Sequence, residues 1–235
     1  MIRTTKTLLF FLVAVLLFSC ATKNKTEHKN PYNLPLVNSV KEYKKQVNED
    51  ATMELADLEK VIDNVVLDIR YATANNFTGE VIYQSPKAYA RKPVAAALQL
   101  VQDSLASLNL GLKIYDAYRP YAATLKFYDV YPDTDFVADP KKGSRHNRGC
   151  AVDVSLVNLA TKQELVMPTA FDDFSEKAHS TYIDLPEPAL QNRAILIGVM
   201  SHFGFSVIST EWWHYDFNGW EKFPLMDLSF EELTN

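Results

Sequence analysis

Cysteine is almost missing from this chain of 235 residues. The two that occur, Cys20 and Cys150, cannot build a disulfide framework. Glycine is scarce at seven and proline stands at eleven, which excludes collagen-like and low-complexity organisation. Lysine and arginine are scattered and the net charge is −5, so the basic stripe of a nucleic-acid binder is lacking. No apolar run approaches the roughly 20 residues that span a bilayer. What is present is a globular composition, 47 % hydrophobic and 23 % charged, in a chain long enough for one domain or a tight pair.

The first residues stand apart. Arg3 and Lys6 precede the unbroken apolar run Leu8 to Phe18, and Ser19-Cys20 follows at once. A positive start, a short apolar stretch and a small-residue boundary are the parts of an export signal. Leu17-Phe18-Ser19-Cys20 resembles the lipobox of bacterial lipoproteins. That resemblance implies cleavage after residue 19 and lipid attached to the Cys20 thiol, which would leave Cys150 without a disulfide partner. Losing Arg3 and Lys6 would move the net charge from −5 to −7. Residues 20–50 are polar with a few prolines, the composition of a tether, and His28 within it has no assigned role. The expected location is the bacterial cell envelope, lipid-anchored, periplasmic or outer-membrane associated.

From residue 51 the pattern becomes that of a folded domain. Val61 to Asp68 is β-branched and apolar, predicting a strand. Pro93 opens a helix whose face carries Val94, Leu98, Val101, Leu105 and Leu108, and Asn109 and Gly111 end it. Leu112 to Tyr118 alternates and stops at Pro120. Ala151 to Val157 alternates again, Leu190 to Phe203 is helical and closed by Gly204, and Phe205 to Ser209 is a third strand. Helices and strands mix without regular βαβ alternation, so the fold class is α+β in a single domain, 51–235.

Two segments hold the titratable chemistry: Ser144-Arg145-His146-Asn147-Arg148-Gly149-Cys150-Ala151-Val152-Asp153 and Glu211-Trp212-Trp213-His214. Zinc takes imidazole nitrogen and carboxylate oxygen, and a catalytic site uses three protein ligands with one open position. His146, Asp153 and His214 make such a set. Gly149 lets the chain turn between the first two, and pairing of two strands would bring in the third. Glu211 is the candidate general base, acting on a water whose pKa the metal lowers from about 16 to about 7. A spacing of three puts strand side chains on opposite faces, so Glu211 and His214 can share one site only if the segment leaves strand geometry. Arg119, at a rigid strand end before Pro120, is placed to stabilise a negative tetrahedral oxygen. Trp212 and Trp213 are read as packing residues, Cys150 as core, and His179 and His202 as structural.

Ser144-x-His146-x-x-Gly149-x-Ala151-x-Asp153 followed by Glu211-x-x-His214 resembles the zinc D-alanyl-D-alanine dipeptidases, relatives of the vancomycin-resistance dipeptidase. That group shares its metal-site architecture with Hedgehog signalling domains. Arg70-Tyr71-Ala72-Thr73-Ala74-Asn75-Asn76-Phe77-Thr78-Gly79 and Asp116-Ala117-Tyr118-Arg119-Pro120 look like the family's further signatures, so the likeness runs over about residues 55–225. It implies a small antiparallel sheet flanked by helices with one Zn2+ per chain on the sheet. It implies ligands His146, Asp153 and His214, base Glu211 and transition-state arginine Arg119. Asp172 falls at the position that holds the substrate's free ammonium, and Ser144 near it. The implied partner is a small D,D-dipeptide. A zinc D,D-carboxypeptidase or endopeptidase acting on peptidoglycan stem peptides is the alternative, and a metal-stabilised binding lipoprotein a third. Retention of both Glu211 and Arg119 speaks against the last, since zinc binding alone needs neither. Oligomeric state stays open.

Overall fold

A five-stranded sheet is the frame on which the chain hangs its reactive side chains. The computed structural model describes residues 28–234. Cys20 and the expected signal segment therefore lie outside the described residues. In chain order the elements are β1 (Leu36–Val37), α1 (Val40–Glu49), β2 (Leu55–Asp57), α2 (Leu58–Val61), β3 (Val66–Leu67), β4 (Tyr89–Arg91) and α3 (Lys92–Ala106). They continue with β5 (Leu110–Asp116), α4 (Tyr121–Val130), β6 (Ala151–Asn158), α5 (Glu187–His202), β7 (Phe205–Val207), β8 (His214–Phe217), β9 (Leu225–Met226) and α6 (Phe230–Thr234).

The main sheet runs β3-β5-β6-β8-β7. It is antiparallel except at one edge, where β3 joins β5 in parallel. Its central strand β6 is buried along almost its whole length and alternates as a strand should. Val152, Val154 and Leu156 join the main core, while Asp153 belongs to the other face. Cys150 has the parity of the core residues, is fully buried and joins that cluster, away from Asp153. Helix α3 buries Val94, Leu98, Val101 and Leu105, the stripe expected from its spacing, and packs against β5 and α5.

Three expectations change. The strand expected over Val61 to Asp68 shrinks to Val66–Leu67. Asp57 accepts from the Glu59 N–H and caps α2, and Asn64 turns the chain with φ of 60°, so the apolar run is divided between a helical turn and a two-residue strand. The segment carrying His214 is a strand of its own, β8, lying between β6 and β7. Residues 28–50, expected as part of a tether, carry elements that contact the domain, while residues 20–27 lie outside the described residues. His28 Nδ1 lies 3.0 Å from Asp227 Oδ2, and β1 pairs in parallel with β9. Val40 and Tyr43 of α1 pack on the core, with the Tyr43 hydroxyl accepting from the Leu55 N–H at 2.8 Å. A few apolar residues at the right spacing were enough to fold a stretch whose overall composition is polar.

Candidate metal centre and cleft

The sheet register does most of the assembly. Asp153 on β6 sits opposite His214 on β8. On its other side, the β5 ladder skips Tyr115, so that Asp116 rather than Tyr115 comes opposite Asp153. A bulge of this kind re-aims a side chain beside a site. His146 arrives from a short 3-10 turn, His146–Arg148, ended by Gly149 in the left-handed region at φ 69°. An added Cβ on Gly149 would lie 2.7 Å from Leu55 Cδ2, so the turn needs a glycine there for two reasons. The backbone ties this turn to the end of β5: Arg119 N–H donates to His146 O at 3.1 Å, and the Asn147 amide donates to Arg119 O at 2.9 Å.

Three acceptor atoms converge. His146 Nδ1 faces Ala117 O at 2.6 Å, so its proton sits there and Nε2 carries the lone pair. His214 Nε2 faces Asp216 Oδ1 at 3.0 Å, which leaves the lone pair on Nδ1. His146 Nε2 and His214 Nδ1 are 3.2 Å apart. Asp153 Oδ1 stands 3.4 Å from the first and 3.1 Å from the second, is buried, and has no hydrogen-bond partner. Ligands about 2.0–2.2 Å from a tetrahedral centre stand roughly 3.3–3.6 Å from one another. The group therefore fits a zinc ion, and a cation satisfies the orphaned carboxylate oxygen. Electrostatics point the same way. Burial pulls the His214 pKa down, but Asp153 and Asp216 overcome it and push it up to about 10, so the two carboxylates favour positive charge at this point, which a metal ion would supply in place of the second ring proton. Burial works against Asp153 ionisation, yet the two imidazoles keep its carboxyl well below the usual range.

Glu211 lies in the connection between β7 and β8, outside strand geometry as the spacing requires, with Oε2 3.8 Å from His214 Nδ1. Burial, reinforced by Asp153 and Asp172 against the pull of His214, pushes its pKa up to about 8. Arg119 is buried and held on two sides. Its Nε and Nη2 donate to Asp116 Oδ2 at 2.9 and 2.8 Å, and its guanidinium lies 4.7 Å from the centre of the Phe127 ring. Nη2 is 3.7 Å from Asp153 Oδ2, so the guanidinium borders the metal group without joining it.

These residues line one cleft of about 480 Å³, which also reaches Tyr71, Ser144, Arg145 and Asp172. Asp172 adopts φ 62°, accepts from the Tyr71 hydroxyl at 3.0 Å through Oδ1, and buries Oδ2 with no hydrogen-bond partner. Burial, with Asp153 adding to it, raises its pKa to about 7. Ser144 is buried at the cleft, where its Oγ accepts from the His146 N–H at 3.2 Å. Trp212 and Trp213 are buried in the core, the former donating to Thr169 Oγ1 at 2.9 Å. His179 and His202 take no part in the cleft.

Sequence reasoning gave no role to Asp116, Tyr71 or Asp216. Asp216 shares a strand face with His214 at spacing two, so that signal was available, whereas Asp116 is brought beside Asp153 by the bulge in β5, which no local spacing marks. Tyr71 reaches Asp172 across 101 residues, and no local pattern marks such a pair.

A Lewis-acid site with a buried carboxylate and a fixed guanidinium at its border, open to a cleft of peptide size, defines a metallopeptidase. Comparison with known proteins narrows the class. Residues 51–229 match the Peptidase M15 family, described as D-ala-D-ala dipeptidase. The chain is 36 % identical over 176 residues to the D-alanyl-D-alanine dipeptidase of Escherichia coli K12, covering 74 % of this chain and 90 % of that one. It is 32 % identical over 178 residues to the D-alanyl-D-alanine dipeptidase of Enterococcus faecalis V583, covering 67 % and 88 %. Among solved structures, the vancomycin-resistance D,D-dipeptidase VanXYg in complex with a D-Ala-D-Ala phosphinate analogue gives a TM-score of 0.37 at 20 % identity, over 77 % of this chain and 74 % of that one, too loose a likeness to carry an inference. The chain belongs to the M15 family of D-Ala-D-Ala dipeptidases, and it is a zinc enzyme.

Proposed function

We propose that this zinc metallopeptidase hydrolyses the D-alanyl-D-alanine dipeptide to free D-alanine, from a lipid anchor on Cys20 in the bacterial cell envelope. The observation that carries the substrate class is Asp172: a buried carboxylate oxygen without a hydrogen-bond partner, in the same cleft as the metal group. A free ammonium is the ligand that such an oxygen fits, and a charge-assisted hydrogen bond to carboxylate is among the stronger kinds. A peptide with a blocked amino end would leave it buried and unpaired.

Nε2 of His146, Nδ1 of His214 and the Asp153 carboxylate would hold the ion. When bound, zinc supplies a Lewis acid that polarises a carbonyl and lowers the pKa of water. Glu211 takes a proton from the attacking water and returns it to the leaving amine as the C–N bond breaks. Arg119, fixed by Asp116 and Phe127, faces the oxygen on which negative charge builds, at no cost in reorganisation. Asp172, oriented by Tyr71, holds the ammonium, and Ser144, which also lines the cleft, keeps the turn that presents His146. The anchor rests on Leu17-Phe18-Ser19-Cys20 and the apolar run before it.

The test is D-alanine release by the zinc-loaded enzyme from free and from N-acetylated D-Ala-D-Ala. Rapid release from the free dipeptide with little from the blocked one supports the reading. Equal rates would transfer it to a D,D-carboxypeptidase or endopeptidase of wall stem peptides. Radiolabelled palmitate appearing in the wild type but not in Cys20→Ala tests the anchor.

A further inference from the structure

A dipeptide is a zwitterion, and Asp172 answers only one of its charges. The opposite charge, on the carboxylate of the leaving residue, needs a fixed cation on the other side of the metal group. Asp172 and Arg145 approach the metal group through different neighbours. Tyr71 beside Asp172 has the Arg119 guanidinium 5.4 Å from its ring centre, and Arg119 borders Asp153. Asp153 adjoins His214, His214 is bonded to Asp216, and Asp216 Oδ2 lies 3.5 Å from Arg145 Nε. Arg145 thus reaches the metal group through Asp216 and His214, whereas Asp172 reaches it through Tyr71 and Arg119, and both line the one cleft.

The other cations of the cleft are committed or loose. Arg119 is locked onto Asp116. Arg148 donates Nη1 to the Phe223 carbonyl. Lys142 is 83 % exposed on a flexible stem. Arg145 is 48 % exposed yet held at two points, by Asp216 at its Nε and by Trp220, whose ring centre is 4.9 Å from the guanidinium carbon. An arginine stacked and paired through Nε presents its two terminal nitrogens as a fork, the geometry that takes a carboxylate bidentately.

Resting on the dipeptidase reading above, we infer that Arg145 forms a second charged subsite, binding the C-terminal carboxylate and confining the enzyme to substrates that end one residue beyond the scissile bond. Asp172 and Arg145 then act as a two-ended gauge of dipeptide length. Trp220 is a positioning residue, holding the guanidinium toward the cleft.

The experiment compares zinc-loaded wild type, Arg145→Gln and Lys142→Gln on D-Ala-D-Ala and on its C-terminal amide. A charge-assisted hydrogen bond predicts that Arg145→Gln lowers the acid-over-amide ratio of kcat/KM about 10–100-fold, through KM. Lys142→Gln should keep the wild-type ratio. In a Glu211→Gln background, calorimetry should show dipeptide binding weakened by the same factor on adding Arg145→Gln, a readout that does not depend on turnover. An unchanged ratio in Arg145→Gln, or a collapse caused by Lys142→Gln instead, overturns the inference while leaving the dipeptidase reading intact. Wild type that cleaves neither compound overturns both. Equal losses on acid and amide would reduce Arg145 to a structural support and overturn the inference alone.

Discussion

Asp153 is the residue on which the site converges, and its buried Oδ1 is left without a hydrogen-bond partner by the protein alone. In the proposed mechanism each side chain around it has a separate task, so single substitutions should fail in distinguishable ways. Glu211→Gln keeps size and hydrogen bonding but cannot take a proton. It should lower kcat about 10²–10⁴-fold while zinc content, measured by mass spectrometry, stays at the wild-type level. Arg119→Lys keeps the charge but loses the planar fork that Asp116 grips at two nitrogens, and should cost on the order of 10²–10³ in kcat with little change in KM. Asp172 gives a pH signature. Its carboxyl is raised to about 7 by burial, so it is neutral below that pH and charged above it. Affinity for the ammonium end should therefore weaken as pH falls through about 7, seen as a rising KM, and Asp172→Asn should have a high KM without that dependence.

At the scale of elements, the site depends on a turn and a bulge more than on the long helices. Gly149→Ala would place a Cβ 2.7 Å from Leu55 in a left-handed backbone, and should cost roughly 1–3 kcal/mol in chemical denaturation, with weakened zinc binding because His146 is one turn away. The regular elements were legible in sequence because their periodicity is sustained: the apolar stripe of α3, the alternation of β5 and β6, and α5 up to Gly204. So was the clustering of titratable groups, since His146, Asp153, Glu211 and His214 lie in two short segments and the structure brings them together. The two- and three-residue strands β1, β2, β4 and β9 carry no period at all, and α4 places apolar residues on its exposed side too, Ala122 and Val130 beside the buried Tyr121 and Phe127, which blurs its period. The link from Tyr71 to Asp172 and the slip that sets Asp116 beside Asp153 are products of tertiary register, which local residue patterns do not encode.

At the scale of the whole molecule, residues 28–50 belong to the fold. His28 meets Asp227, whose Oδ1 accepts from the Ala122 N–H at the start of α4, and α4 carries Phe127 beneath Arg119. Deleting residues 28–50 should therefore lower the melting temperature, whereas a mere tether could be removed without effect. Zinc adds a linkage of its own: at 1,000 times its dissociation constant a ligand stabilises by about 4.1 kcal/mol, so chelation should lower the melting temperature by roughly 10 °C. The most direct test of the account is the zinc content of purified protein, by mass spectrometry after dialysis, in wild type and in Asp153→Asn. The account predicts about one zinc per wild-type chain and close to none in the folded variant. Folded wild type without zinc, or a variant that keeps it, would contradict the claim that His146, Asp153 and His214 form one metal centre.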